Sequence, residues 1–172
     1  MTKTLILFRH AKSSWNDNVD DHERPLAERG RKAAPLMAKW LASRGLKPTV
    51  ALVSTARRTQ ETWSIAAPEL GRITRRDVGA IYEAPAAQIL DVIHAVEPSV
   101  ESLLIIGHNP GMEDLACLLM NGDGGEAGDR LRKKFPTAAM AVLSLPVDDW
   151  TEVEPHIAEL TDFVTPKSFR SP

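Results

Sequence analysis

The chain has 172 residues, 43% hydrophobic and 26% charged, with a formal net charge of −2. That length suits one ordinary domain, 1–172, burying roughly two thirds of the surface its unfolded form exposes. The near-balanced charge excludes a global attraction to nucleic acid or anionic lipid, and the single cysteine, Cys117, excludes an internal disulfide framework.

Leu5-Ile6-Leu7-Phe8 is an unbroken apolar run of the length of a buried strand. Arg9 and His10 follow at once, at the carboxyl end where open α/β sheets place their ligand crevices. The segment Asn16 to Glu23 carries four acids, Asp17, Asp20, Asp21 and Glu23, and reads as a solvated loop. From Pro25 onward Leu26, Ala33, Leu36, Met37, Trp40 and Leu41 recur at helical spacing, with Gly45 as a stop. Val50 to Val53 is a second apolar strand, and Ser54 to Thr62 runs from it into a helix ending near Pro68. A third strand is predicted around Val78 to Tyr82, beside a basic cluster of Arg72, Arg75 and Arg76.

Helix resumes from Pro85 to Val96, with Ile89, Leu90, Ile93 and Val96 on one face. Ser102 to Ile106 is the most hydrophobic strand and terminates in Gly107-His108-Asn109-Pro110-Gly111, before a helix from Met112 to Met120. Asn121 to Lys134, glycine-rich and then basic, reads as a mobile loop. Ala138 to Leu145 and Ala158 to Val164 are a fifth and a sixth strand. This alternation predicts an α/β fold with a largely parallel central sheet of about six strands covered by helices on both faces. Neither a signal-peptide core nor a span of about twenty apolar residues is found, so a cytoplasmic protein is expected.

Three predicted strands end in chemistry: Arg9-His10, Ser54 to Arg58, and Gly107-His108. In a parallel sheet those ends share one edge, so two imidazoles and at least two guanidiniums can meet in one crevice. Arginine presents planar forks that match phosphate oxygens, which makes a phosphoryl group the natural guest. Other phosphate chemistries find no support. There is no Gly-x-x-x-x-Gly-Lys-Ser/Thr loop, the residue six after Cys117 is Asp123 where a cysteine phosphatase needs arginine, and no cluster has metal-ligand spacing. The remaining nucleophile is a histidine, and neither metal nor cofactor is expected.

These residues carry a family resemblance. Arg9-His10-Ala11-Lys12-Ser13-Ser14-Trp15-Asn16 resembles the Arg-His-Gly signature of the histidine phosphatase (phosphoglycerate mutase-like) superfamily, with Ala11 where glycine is usual. Ser54 to Thr62, with arginine four residues after the serine and threonine four after that, is similar to its second element, and Gly107 to Gly111 to its third. Asp21 to Gly30, containing Arg24-Pro25-Leu26, and Phe135-Pro136-Thr137-Ala138-Ala139 are similar to segments of the short SixA-type protein-histidine phosphatases.

The resemblance implies that His10 is a nucleophile that becomes transiently phosphorylated, that Arg9, Arg58 and His108 hold the phosphoryl oxygens, and that Asn16 adds a neutral donor. Spacing from Ser54 favours Arg58 over Arg57, while His22, His94 and His156 read as surface or helix residues. A neutral His10 is required for attack, so the rate is expected to fall on acidification between about pH 8 and 5. Larger relatives use a carboxylate as general acid. Glu83 is the candidate here, its other reading being a helix-start acid near Pro85. A phosphohistidine leaves as imidazole and needs less acid help, and the short chain has little room for lid insertions. The expected partner is therefore a phosphohistidine-bearing signalling or phosphotransfer protein, with no nucleic acid and no membrane. A phosphatase of small phosphoesters and a non-catalytic phosphate-binding module are the alternatives, and length disfavours a mutase.

Overall fold

Alternation along the first strand supplies both faces of the core. A computed structural model of the chain describes residues 1–15 and 18–169. In β1 (Lys3–Arg9), Leu5 and Leu7 enter one hydrophobic cluster, while Ile6 and Phe8 enter another on the opposite face. The first cluster is completed by α3 (Ala86–His94), α4 (Gly111–Leu119) and α5 (Gly125–Lys133), through Ile89, Ile93, Met112, Leu115 and Leu131. The second is completed by α1 (Glu28–Ser43) and α2 (Arg57–Leu70), through Ala34, Met37, Leu41, Trp63 and Ala66.

The other strands are β2 (Val50–Val53), β3 (Thr74–Asp77), β4 (Ser102–Gly107), β5 (Met140–Leu145) and β6 (Glu159–Val164), and the sheet order is β3-β2-β4-β1-β5-β6. The pairs β3/β2, β2/β4 and β4/β1 are parallel, and the pairs β1/β5 and β5/β6 antiparallel. The largely parallel α/β architecture read from the sequence is therefore the one observed. No helix among the described residues is long and apolar enough to cross a membrane.

Two elements differ from the sequence reading. The third strand lies at Thr74–Asp77, upstream of the expected Val78 to Tyr82, which instead contains a 3-10 turn at Gly79–Ile81. As an edge strand paired only with β2, it needs no apolar faces, and its arginines are used in surface pairs such as Arg76 with Glu97. The second is Asn121 to Lys134, expected as a mobile loop, which holds α5 from Gly125 to Lys133. Its two glycines and a single fully buried apolar side chain, Leu131, leave almost no periodic signal to read.

Register places the site. Arg9 lies opposite Gly107, and Val53 opposite Ile106, so the carboxyl ends of β1, β4 and β2 are adjacent. The backbone then ties the ends together, His10 N–H donating to Gly107 O at 3.1 Å and Ser54 N–H to Ile106 O at 3.1 Å.

Candidate active site

At this edge a cavity of about 210 Å³ is lined by Arg9, His10, Arg24, Arg58, His108 and Asn109, with Lys12, Ser13, Trp15 and Thr137 at its margins. The first requirement of such a site is that its rings cannot turn. His10 is 6% exposed, and its Nδ1 lies 2.8 Å from Ala11 O. A carbonyl oxygen only accepts, so Nδ1 carries the hydrogen and Nε2 keeps its lone pair. The loop that holds the ring is itself fixed, because Ala11 N–H donates to Thr62 Oγ1 at 3.0 Å and Thr62 donates to Arg58 O at 2.7 Å. One threonine thus links the loop of His10 to the helix that carries Arg58.

His108 stands with its ring centroid 5.3 Å from that of His10, and its Nε2 lies 2.7 Å from Ser54 Oγ. When the Ser54 hydroxyl donates to Nε2, the ring hydrogen resides on Nδ1, which is buried and has no partner among the described residues. Arg9 Nη1 donates to Phe135 O at 3.0 Å, and Asn109 Nδ2 donates to the same carbonyl at 2.9 Å. Phe135 O therefore fixes the directions of a cation and an amide at the cavity.

Arg58 is buried, and Asp21 holds it from two sides, Nη1 donating to Asp21 O at 2.7 Å and Nη2 to Asp21 Oδ2 at 3.0 Å. Arg57, one residue earlier on α2, turns outward to Glu61 at 3.3 Å. The choice made from spacing is the arrangement seen. Asp21 also accepts from Tyr82 Oη at 2.6 Å and from Arg24 Nη1 at 2.9 Å, and Arg24 donates further to Ser13 Oγ and to Ser14 O. The Trp15 ring lies over the Arg24 guanidinium at 3.2 Å.

Electrostatics follow from this crowding. Burial above all, then the neighbouring His108, Arg9 and Arg58, push His10 down to about 3, opposed only by its hydrogen bond to Ala11. Burial and Arg58 likewise bring His108 to about 3. Both rings are neutral throughout the range from pH 8 to 5, so the protonation of His10 expected there is displaced below it. The hydroxyl of Tyr82, then Arg24 and Arg58, hold the Asp21 carboxyl well below the usual carboxylate range, while burial and Asp21 push Tyr82 up to about 12. Asp21 is accordingly a fixed anion and Tyr82 a fixed donor.

The structure thus brings Arg9, His10, Arg58 and His108 together, as the strand ends implied. Asn16 lies outside the described residues. Glu83 is exposed, sits at φ 52° beside Tyr82 and does not line the cavity. Among the expected bystanders, His94 and His156 bond to backbone oxygens away from the site, at Val153 and Met120. His22 differs. Its Nε2 lies 3.0 Å from Thr55 Oγ1 and its ring packs edge-on against Tyr82, so it belongs to the rim. The sequence reading missed Asp21, Arg24, Ser54 and Tyr82 as parts of the site. A signal was present in Asp21 to Gly30, where the resemblance to SixA-type proteins falls, but four acids in a short polar stretch argued for solvent. Among the described residues no group of three or more His, Cys, Asp or Glu side chains is placed to hold a metal ion.

Comparison with known proteins agrees with this geometry. Residues 5–81 match the family described as histidine phosphatase superfamily (branch 1). An uncharacterised protein of Mycobacterium tuberculosis is 37% identical over 165 residues, covering 93% of this chain and 100% of the relative. The solved protein designated SixA from Nakamurella multipartitia is 29% identical with a TM-score of 0.86, over 96% of this chain and 97% of that one. That designated SixA from Agrobacterium tumefaciens is 30% identical with a TM-score of 0.77, over 95% and 98%. With the signature residues gathered at three strand ends and the fold shared across nearly its whole length, the chain belongs to the histidine phosphatase superfamily and to its SixA-type members.

Proposed function

We propose that the protein is a phosphatase that removes the phosphoryl group of protein phosphohistidine through a phosphorylated His10, without a metal ion. The observation that carries this reading is the hydrogen bond from His10 Nδ1 to Ala11 O, which leaves the lone pair of a buried, neutral imidazole on Nε2 in a cavity lined by arginines. His10 Nε2 forms a bond to phosphorus as the bond from phosphorus to the substrate's imidazole nitrogen breaks, and the electron pair leaves with that imidazole. Arg9, Arg58 and His108 Nδ1–H donate to the phosphoryl oxygens, and Arg24 is placed to join them. Water then attacks phosphorus, breaks the bond to His10 and releases inorganic phosphate.

The leaving group decides between substrates. An ester oxygen needs a proton as it departs, and among the described residues the cavity lining contains no carboxyl group. The nearest carboxylate in the network, Asp21, is held ionised and cannot supply one. Imidazole departs with far less help, which favours the phosphohistidine substrate over small phosphoesters. Glu83, in the role of general acid, would have to be brought to the cavity by substrate.

Initial rates on a phosphohistidine protein and on a panel of phosphorylated metabolites, each with and without chelator, test the reading. Preference for the phosphoprotein, indifference to chelator and a loss of roughly a thousandfold or more in His10→Ala are expected. Dominant turnover of one metabolite would overturn the substrate, a rate lost to chelator the metal-free mechanism, and phosphate binding without any turnover the enzyme itself.

A further inference from the structure

A second concavity, of about 450 Å³, opens beside the first and shares Lys12 and Thr137 with it. It runs between the start of α1, the end of α5 and the turn after β6, and is lined by Lys12, Arg29, Arg130, Lys134 and Lys167. No Asp or Glu contributes to the lining. Among the described residues no carboxylate lies within ion-pair distance of Lys12, Arg29, Lys134 or Lys167, and the one partner of Arg130 is an exposed Glu126 at 4.0 Å. Elsewhere on the surface most arginines are matched with acids, as Arg76 is with Glu97 and Arg44 with Asp162, Arg72 being an exception. Five cations on one groove of a chain whose net charge is −2 are therefore a local departure from the pattern of the rest. The floor is apolar, with Phe163 beneath Arg130 at 5.7 Å, so the groove offers both charge and a dry surface.

We infer that this groove docks an acidic segment of the phosphohistidine protein, seating acids beside the modified histidine while that histidine enters the cavity past Lys12. The inference rests on the phosphohistidine reading. All five cations are exposed and held by no carboxylate cage, unlike Arg58 in its Asp21 cradle. That is poor preorganisation for a small phosphate but suits steering of a charged macromolecular surface, where long mobile cations set encounter rate and register.

The test uses the full-length protein and two peptides of about fifteen residues, identical except that four glutamates near a central histidine are replaced by glutamines in the second. Binding of the unphosphorylated peptides is measured by fluorescence anisotropy, and dephosphorylation of their phosphohistidine forms by phosphate release. The acidic peptide is expected to bind roughly tenfold more tightly at low salt, with the difference fading above about 0.3 M salt. The double variant Lys134→Glu, Lys167→Glu, which leaves the catalytic cavity untouched, is expected to erase that preference while turnover of phosphoramidate is unchanged. Equal binding of the two peptides by the intact protein overturns the inference. So does an acidic preference retained in the double variant, and so does tighter binding of a single-stranded DNA oligomer of equal charge, which would mark a nucleic-acid surface. Peptide binding with the expected charge dependence but no release of phosphate would instead sink the phosphohistidine reading, so the two failures are told apart.

Discussion

In the proposed mechanism Ser54 does not touch the phosphoryl group, yet its hydroxyl, when it donates to His108 Nε2, keeps the ring hydrogen on Nδ1. Replacing it by alanine frees the ring hydrogen to move to Nε2 and leaves Nδ1 as an acceptor facing an anion. Ser54→Ala is expected to lower kcat by about tenfold, with Ser54→Thr restoring most of it. Nitrogen-15 NMR of the His108 ring checks the cause, since a merely packing role for Ser54 would leave the tautomer unchanged. At this scale the sequence was informative wherever chemistry sits at a strand end, as with His10, Arg58 and His108. It was silent on Asp21, whose bonds to Arg58 and Tyr82 cross 37 and 61 residues, a closure that only tertiary structure determines.

Helix α1 acts on the site through its backbone rather than its side chains. Gly30 lies against the carbonyl of Lys12, which already accepts from Ala27 N–H at 2.8 Å, and a Cβ at Gly30 would overlap that oxygen. Gly30→Ala is expected to push the loop after His10 outward, costing about 1–3 kcal/mol in stability and more in kcat than in substrate affinity. Thermal unfolding together with steady-state kinetics would show it, and an unchanged kcat would mean that the loop yields freely. Elements such as the amphipathic α1 and the largely apolar β4 were legible because their apolar patterns match what they bury. The polar helix α5 and the polar edge strand β3 were not, since a helix with one fully buried apolar side chain and a strand with no buried residue leave no periodicity to detect.

For the molecule as a whole, two neutral histidines in one cavity make folding sensitive to acid. Each has a folded-state value near 3, whereas an unfolded histidine titrates near 6.5, so below about pH 6 the unfolded chain binds more protons. Stability is fully present above the unfolded value and is lost as pH falls towards the folded one, by about 1.4 kcal/mol per pH unit per ring. Urea unfolding in an anion-free buffer between pH 7 and 5 should show stability falling ever more steeply towards that slope, and His10→Asn should remove about half of the loss. A slope unaffected by the substitution would place the sensitivity elsewhere. A last consequence concerns the margin of the sheet. Among the described residues β3 leaves its outer hydrogen-bonding row without a neighbouring strand, and the residues along it are Thr74, Arg75, Arg76 and Asp77, with Arg76 forked onto Glu97. A foreign strand adding there would have to desolvate three ionic side chains and tear apart that fork, so the same charges that hid the strand from its sequence oppose edge-to-edge growth at this margin.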